Sequence, residues 1–510
     1  MRLSWVLVLV ACTRASDKPP PGPSHKTRVA RDNTGEPNTR RVDYIGPDAC
    51  GECHEDEHAR WSQSLHRVMN ARVEEPGAVI GDFATAVSYE GGQVRFSREG
   101  GAYFMTLARG AEHVRYRVTR TIGHRGLQEY VGIEDGQPKM EPGGVRPTGG
   151  GDEVRLPFGW WPRFGGWAPQ IAFDPWLETF DPYAPVRESW AERCPWCHST
   201  YPFDQRIARS ATLGVGHGLE QLVATAPATP GPIRRDRLDV AEQVTVGISC
   251  ESCHLGGRAH ADGAAISFLP AGVTGLPQKF ADQRRSAQIV NNVCAQCHSG
   301  PSPRLADGTA LRNSSEALDL GASPCTTARC TDCHDPHRAD SRSDEARAVA
   351  ACTHCHEPLA DATAARAHAG KGHDGVTCLD CHMPKIVMGI DRFVRTHRIS
   401  SPDNPVLLAE GAPNACNLCH LDESTRWTAE ALGVKVAAKI DPDQALGDLW
   451  LTSKSPQLRV LAAHAYARSP LGKFVDLSPG LADPVPYVRA WTKFAIDDLK
   501  HSLTKASKSR

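Results

Sequence analysis

Between residues 86 and 123 the chain alternates apolar and polar positions in short runs, AVSYEGGQVRFSREGGAYFMTLA and then HVRYRVTRTIG, with Gly-Gly pairs at the breaks. A period of two interrupted by glycine predicts a β-hairpin or meander. The Gly- and Trp-rich text that follows, FGWWPRFGGWAPQ (158–170), carries large rings and little sign of regular structure. Residues 80–185 are therefore expected to form a small β-containing insertion. Near the other end, SPQLRVLAAHAYARS (455–469) and ADPVPYVRAWTKFAIDDLKH (482–501) place apolar residues at three and four spacing after Pro-containing turns. They predict helices, and their likeness to one another suggests a HEAT-like tail over 421–510, serving either as a docking scaffold or as plain packing.

The N-terminus has a different pattern. MRLSWVLVLVAC holds one Arg, an apolar run from Leu3 to Ala11 and then Cys12. This is too short to span a bilayer and reads as an export signal over 1–12. Leu9-Val10-Ala11-Cys12 looks like a bacterial lipobox, in which Cys12 would be lipidated; the alternative is an ordinary signal peptide with an incidental cysteine. Residues 13–43, with text such as SDKPPPGPSHKTR, read as a solvated tether. No other stretch reaches about 18 apolar residues. The expected location is the bacterial periplasm, on a membrane rather than through it, with the outer membrane or cell surface favoured over the inner membrane.

A formal charge of −1 over 510 residues gives no case for nucleic acid. The cysteines are far more informative, because 16 of the 18 fall into eight C-x-x-C-H motifs. These are Cys50, Cys53 and His54; Cys194, Cys197 and His198; Cys250, Cys253 and His254; Cys294, Cys297 and His298; Cys330, Cys333 and His334; Cys352, Cys355 and His356; Cys378, Cys381 and His382; and Cys416, Cys419 and His420. This spacing attaches a c-type haem through two thioethers, with the histidine as proximal iron ligand, and chance would give roughly 0.03 copies in such a chain. Zinc sites need two cysteine pairs per metal, and neither zinc nor a disulfide framework explains a histidine after every second cysteine. Eight covalently bound c-type haems are the expected cofactors.

The expected fold class follows: mostly α, with extensive loops around a multihaem core, a small β insertion and a helical tail. The first motif lies in 44–79 and the other seven in a core over 186–420. The histidines of the first two motifs are 144 residues apart, whereas later gaps run from 22 to 56, so the insertion sits in the first gap.

A haem iron has a second axial position. His260 follows the third motif by only six residues and would have to round its own porphyrin to reach that iron, so it is expected to serve a neighbouring haem, with Gly256-Gly257 letting the backbone turn close to a ring. Setting aside histidines within the tether, the motifs, a strand or the tail, and His58 one turn after His54, leaves eight distal candidates: His66, His124, His217, His260, His337, His368, His373 and His397. Cys325 stands alone and is expected to be a packed thiol.

IGPDACGECHEDEHARWSQSLH (45–66), YRVTRTIGHRGLQEYVG (116–132), VGISCESCHLGGRAH (246–260), CTDCHDPH (330–337), VTCLDCHMPK (376–385), RTHRISSPDN (395–404) and APNACNLCH (412–420) resemble, in combination, the octahaem c-type cytochromes with a helical-repeat tail. That family is distantly related to the tetrahaem cytochrome serving hydroxylamine oxidoreductase, and the resemblance covers about 44–500. It implies distal roles for His66, His260, His337 and His397, with His368 and His373 matching a histidine cluster before the seventh motif. His124 and His217 do not fall on histidines of the family pattern, so each stands as a ligand or as a loop histidine.

Two functions are compatible with this reading. Bis-His iron exchanges one electron and has no vacancy for substrate, which makes a conduit between a membrane or periplasmic donor and an acceptor protein the first expectation. The second is a periplasmic reductase of a small nitrogen or sulfur compound at one iron with an open axial site, the second motif being the candidate because no histidine follows it closely. No catalytic residue is singled out. Redox partner proteins, a lipid anchor and docking through the tail are the partners expected.

Overall fold

The computed structural model describes residues 36–135, 153–170, 181–184, 189–206, 238–273, 275–338 and 344–508. Cys12, His217, the expected signal segment and most of the tether lie outside these residues.

The alternating stretch folds as an antiparallel sheet. Strands β2 (Ala86–Tyr89), β3 (Gly92–Glu99), β4 (Ala102–Arg109), β5 (Glu112–Ile122), β6 (Glu129–Glu134) and β7 (Val154–Arg155) lie side by side in chain order, and β1 (Asn70–Arg72) pairs with the far half of β5. Two-residue turns join β2 to β3 and β3 to β4. Glu90-Gly91 has φ of 44° and 77°, and Gly100-Gly101 has 55° and 84°. Positive φ at both central residues suits the twist of the flanking strands, which explains the glycines at the breaks. The sheet begins at Asn70, ahead of the boundary at 80 that the pattern suggested, because β1 is too short to alternate visibly.

One face of the sheet is dry. Val94 pairs with Leu107, and Phe96 pairs with Met105, which in turn pairs with Tyr116; all are buried. The Gly- and Trp-rich stretch, expected to be irregular, forms a hairpin of β8 (Phe158–Trp161) and β9 (Gly166–Pro169) that covers this face. Trp167 stacks on Phe96 with centroids 3.6 Å apart. The glycines hide the alternation, and the tryptophans supply the burial that holds the hairpin in place.

The motif-bearing core is held in short helices and loops, so the molecule mixes helix with a substantial sheet. The tail contains helices Thr425–Leu432, Leu446–Leu451, Pro456–Arg468 and Pro486–Lys508. It is built into the rest of the fold. Val488, Trp491 and Phe494 pack in one cluster with Trp161 and with Ile386, Val387, Met388 and Phe393. Phe164 stacks on Phe494 at 3.6 Å, and Arg163 forms an ion pair with Asp498. A second cluster joins Leu421 to Trp450, Ala462 and Tyr466. Among the described residues no helix is long and apolar enough to cross a membrane.

Candidate haem centres

Each motif closes one helical turn. The histidine N–H donates to the carbonyl of the first cysteine at 2.9 Å in His54, His254, His334 and His356, 3.0 Å in His298 and His420, and 3.2 Å in His198. Cys378 to His382 lies within a helix. Residues i, i+3 and i+4 of a turn share one face, so each motif presents two thiols and an imidazole together.

Five motif histidines face a second histidine. Ring centroids are 6.0 Å apart for His54 and His260, 6.4 Å for His254 and His337, 6.1 Å for His334 and His397, 6.0 Å for His382 and His368, and 6.5 Å for His420 and His373. Imidazoles in van der Waals contact would stand about 3.5–4 Å apart. A histidine nitrogen sits about 2 Å from a first-row metal and its ring centroid about 1.1 Å further back, so two imidazoles sharing one ion stand about 6.2 Å apart. The ring planes are within 25° of parallel in the first four pairs and at 86° in the last. Rotation about the nitrogen–iron axis permits both arrangements. Two thiols, one imidazole and an opposing imidazole at ligand distance fit a c-type haem.

Hydrogen bonds hold several rings with one nitrogen engaged and the other free. Nδ1 of His260 lies 2.8 Å from the Ala264 carbonyl, and Nδ1 of His382 lies 2.9 Å from the Ser400 carbonyl. Such partners orient a ligating imidazole. Burial lowers His66, His198 and His254 to about 4, which keeps them neutral near pH 7, the state that can donate to iron. His298 differs: burial pulls it down, but the Glu316 carboxylate at 3.2 Å wins and lifts it to about 9.

His66 lies within electrostatic reach of His298. His124, on the loop after β5, sets its Nε2 3.3 Å from the Gly77 carbonyl, and no histidine ring pairs with it among the described residues. No imidazole faces His198 or His356 in the described residues either. The ring beside His198 is Trp190, at 6.2 Å. Gly256 does make a close approach, but to backbone: a Cβ there would meet the Asp43 carbonyl oxygen at 2.8 Å.

The motifs form a contiguous series. Cys50 lies beside Cys250, Cys197 beside Cys297, and Cys294 beside Cys330. Cys253 reaches Cys297, Cys333 reaches Cys352, Cys352 reaches Cys378, and Cys381 reaches Cys419 through space. The order is thus first, third, fourth, fifth, sixth, seventh and eighth, with the second joined to the fourth. Buried Glu251 helps fix the start of the series, accepting from the N–H groups of Ile45, Gly46 and Gly257. Glu316 and Arg206 bear on these centres and had drawn no notice in the sequence, because neither lies in a motif.

The Cytochrome c552 family model matches residues 367–443, which hold the seventh and eighth motifs with His368, His373 and His397. Among solved structures, the chain is similar to the outer cell wall cytochrome OcwA, at 17% identity over 91% of this chain and 99% of that one, with a TM-score of 0.41. No curated protein matches it. The family match, over a short part of the chain, and the repeated attachment motif together support a multihaem c-type cytochrome in electron transfer.

Proposed function

We propose that the chain binds eight c-type haems through its eight motifs and serves as an exported electron conduit between a donor and an acceptor protein. The five facing histidine pairs carry this reading. A haem held between the two imidazoles of such a pair would have no room for substrate at its iron. In this assignment His260 serves the first motif, His337 the third, His397 the fifth, His368 the seventh and His373 the eighth, while His66 serves the fourth. The haems supply one-electron exchange without change of ligation; the protein orients the imidazoles and holds the centres close together. Intact mass of the mature protein tests the stoichiometry. A mass matching eight attached haems supports the proposal, and a lower integer number contradicts it. The same spectrum reads the N-terminus, where diacylated Cys12 is the expected first residue.

A second reading, reduction of a small nitrogen or sulfur compound, rests on the second motif. The ring at the distance where other motif histidines meet a histidine is here an indole, which has no lone pair to give a metal. Behind it lies Arg120, 1% exposed, paired with Glu153 at 2.8 Å and with Nη1 unpartnered. Reduction of nitrite or hydroxylamine by the purified protein at rates abolished by Arg120→Met would favour this reading over the conduit.

A further inference from the structure

The second, third and fourth motifs meet at one buried side chain. Arg206 is 3% exposed, and its Nη1 donates to the Ser252 carbonyl at 3.2 Å and to Gln296 Oε1 at 2.6 Å. Ser252 lies between the cysteines of the third motif and Gln296 between those of the fourth. The second motif joins the same knot, since Trp196 Nε1 donates to the Gln296 carbonyl at 3.0 Å.

Both partners of Arg206 are neutral. Its Nε is buried with no partner, and no carboxylate pairs with it among the described residues. A guanidinium cannot shed its proton to escape burial, and a buried cation without a counter-charge is costly. The bonds of Arg206 to Ser252 and Gln296, with Trp196 on the same Gln296, put its charge beside all three motifs. A haem carries carboxylates of its own, and these would supply a counter-charge at this knot.

We propose that Arg206 is a shared charge site for the haems of the second, third and fourth motifs, answering negative charge on those cofactors and raising their reduction potentials. This rests on the reading of the motifs as haem sites. A fixed cation destabilises ferric iron, which carries one more positive charge than ferrous iron, so the reduced form is favoured at each centre it reaches. Arg206 acts through space and is a positioning residue, with no part in bond making.

The test uses the full mature chain and reads potentials by spectroelectrochemical titration, with haem number by intact mass. Arg206→Met removes the charge and keeps an unbranched apolar stem in the site. The expected result is a full haem complement with three one-electron steps moved to more negative potential, whereas Arg206→Lys, which keeps the charge, stays near the native curve. A Met variant whose titration superimposes on the native one overturns the inference. If the Met variant does not accumulate, haem-loaded Lys protein still shows that the charge is what the site requires, and loss of both variants overturns the charge role in favour of shape. A native mass lacking the haems of these motifs would instead defeat the reading beneath it.

Discussion

Nδ1 of His298 lies 3.2 Å from Oε2 of Glu316, while His260 and His382 engage backbone carbonyls. A carboxylate accepting from the ring makes it a more basic ligand, which favours ferric iron. Glu316→Gln keeps the shape and removes the charge. We expect one potential to rise by about 60 mV, the equivalent of a tenfold change in a one-electron equilibrium, read by potentiometric titration. An unchanged titration would remove Glu316 from the account.

His260 lies six residues beyond the third motif yet faces His54 of the first at 6.0 Å. His260→Ala should convert one low-spin haem to high spin and leave the protein folded. A double variant with His337→Ala, which opens the centre of the third motif, should give two high-spin haems. A single one in the double variant would mean that both histidines serve the same iron.

The tail is expected to be sensitive to its contacts with the hairpin and core. Trp491 is fully buried beside Trp161, Phe393 and Phe494. Trp491→Ala should cost about 3–5 kcal/mol of unfolding free energy, measured by denaturant titration. A loss below about 1 kcal/mol would mean that the tail packs on the core without stabilising it.

Stability of the same region should fall in acid. Burial raises the Asp483 carboxyl, but ion pairing with Arg459 at 2.7 Å and the Val485 N–H outweigh it and leave the group below its usual range. A carboxyl depressed in the folded state stabilises fully above its unfolded value, and the contribution is lost as pH falls through the folded value. Protection of the amides in helices Pro456–Arg468 and Pro486–Lys508 against exchange, relative to the unfolded rate at each pH, should therefore fall toward low pH. Asp483→Asn should exchange fast at neutral pH and lose most of that dependence; a native-like acid profile in this variant would exclude Asp483 as the source.

Local features were the ones legible in the sequence. Spacing alone exposed all eight motifs, the hairpins with Gly-Gly breaks and the helices near 455–469 and 482–501. What escaped depends on long-range packing. The pairing of His54 with His260 spans more than two hundred residues, and nothing local says which imidazole meets which. The hairpin at 158–170 was hidden because Gly and Trp obscure a period of two, and its stability comes from Phe96, far back in the chain. Arg206 gains meaning only where Ser252 and Gln296 converge on it. A tail that reads as a separate module is in fact packed on the hairpin, because its apolar stripe needs Trp161 to cover it.

The most direct test is electron paramagnetic resonance of the fully oxidised protein, integrating high-spin against low-spin ferric signal. Five motif histidines face a second imidazole, and among the described residues His198, His298 and His356 face none. The account predicts at least five low-spin haems, and the crossed planes of His373 and His420, at 86°, predict that one of them has a strongly anisotropic spectrum apart from the near-parallel pairs. A high-spin signal integrating to more than three haems would contradict the bis-His array and the conduit built on it.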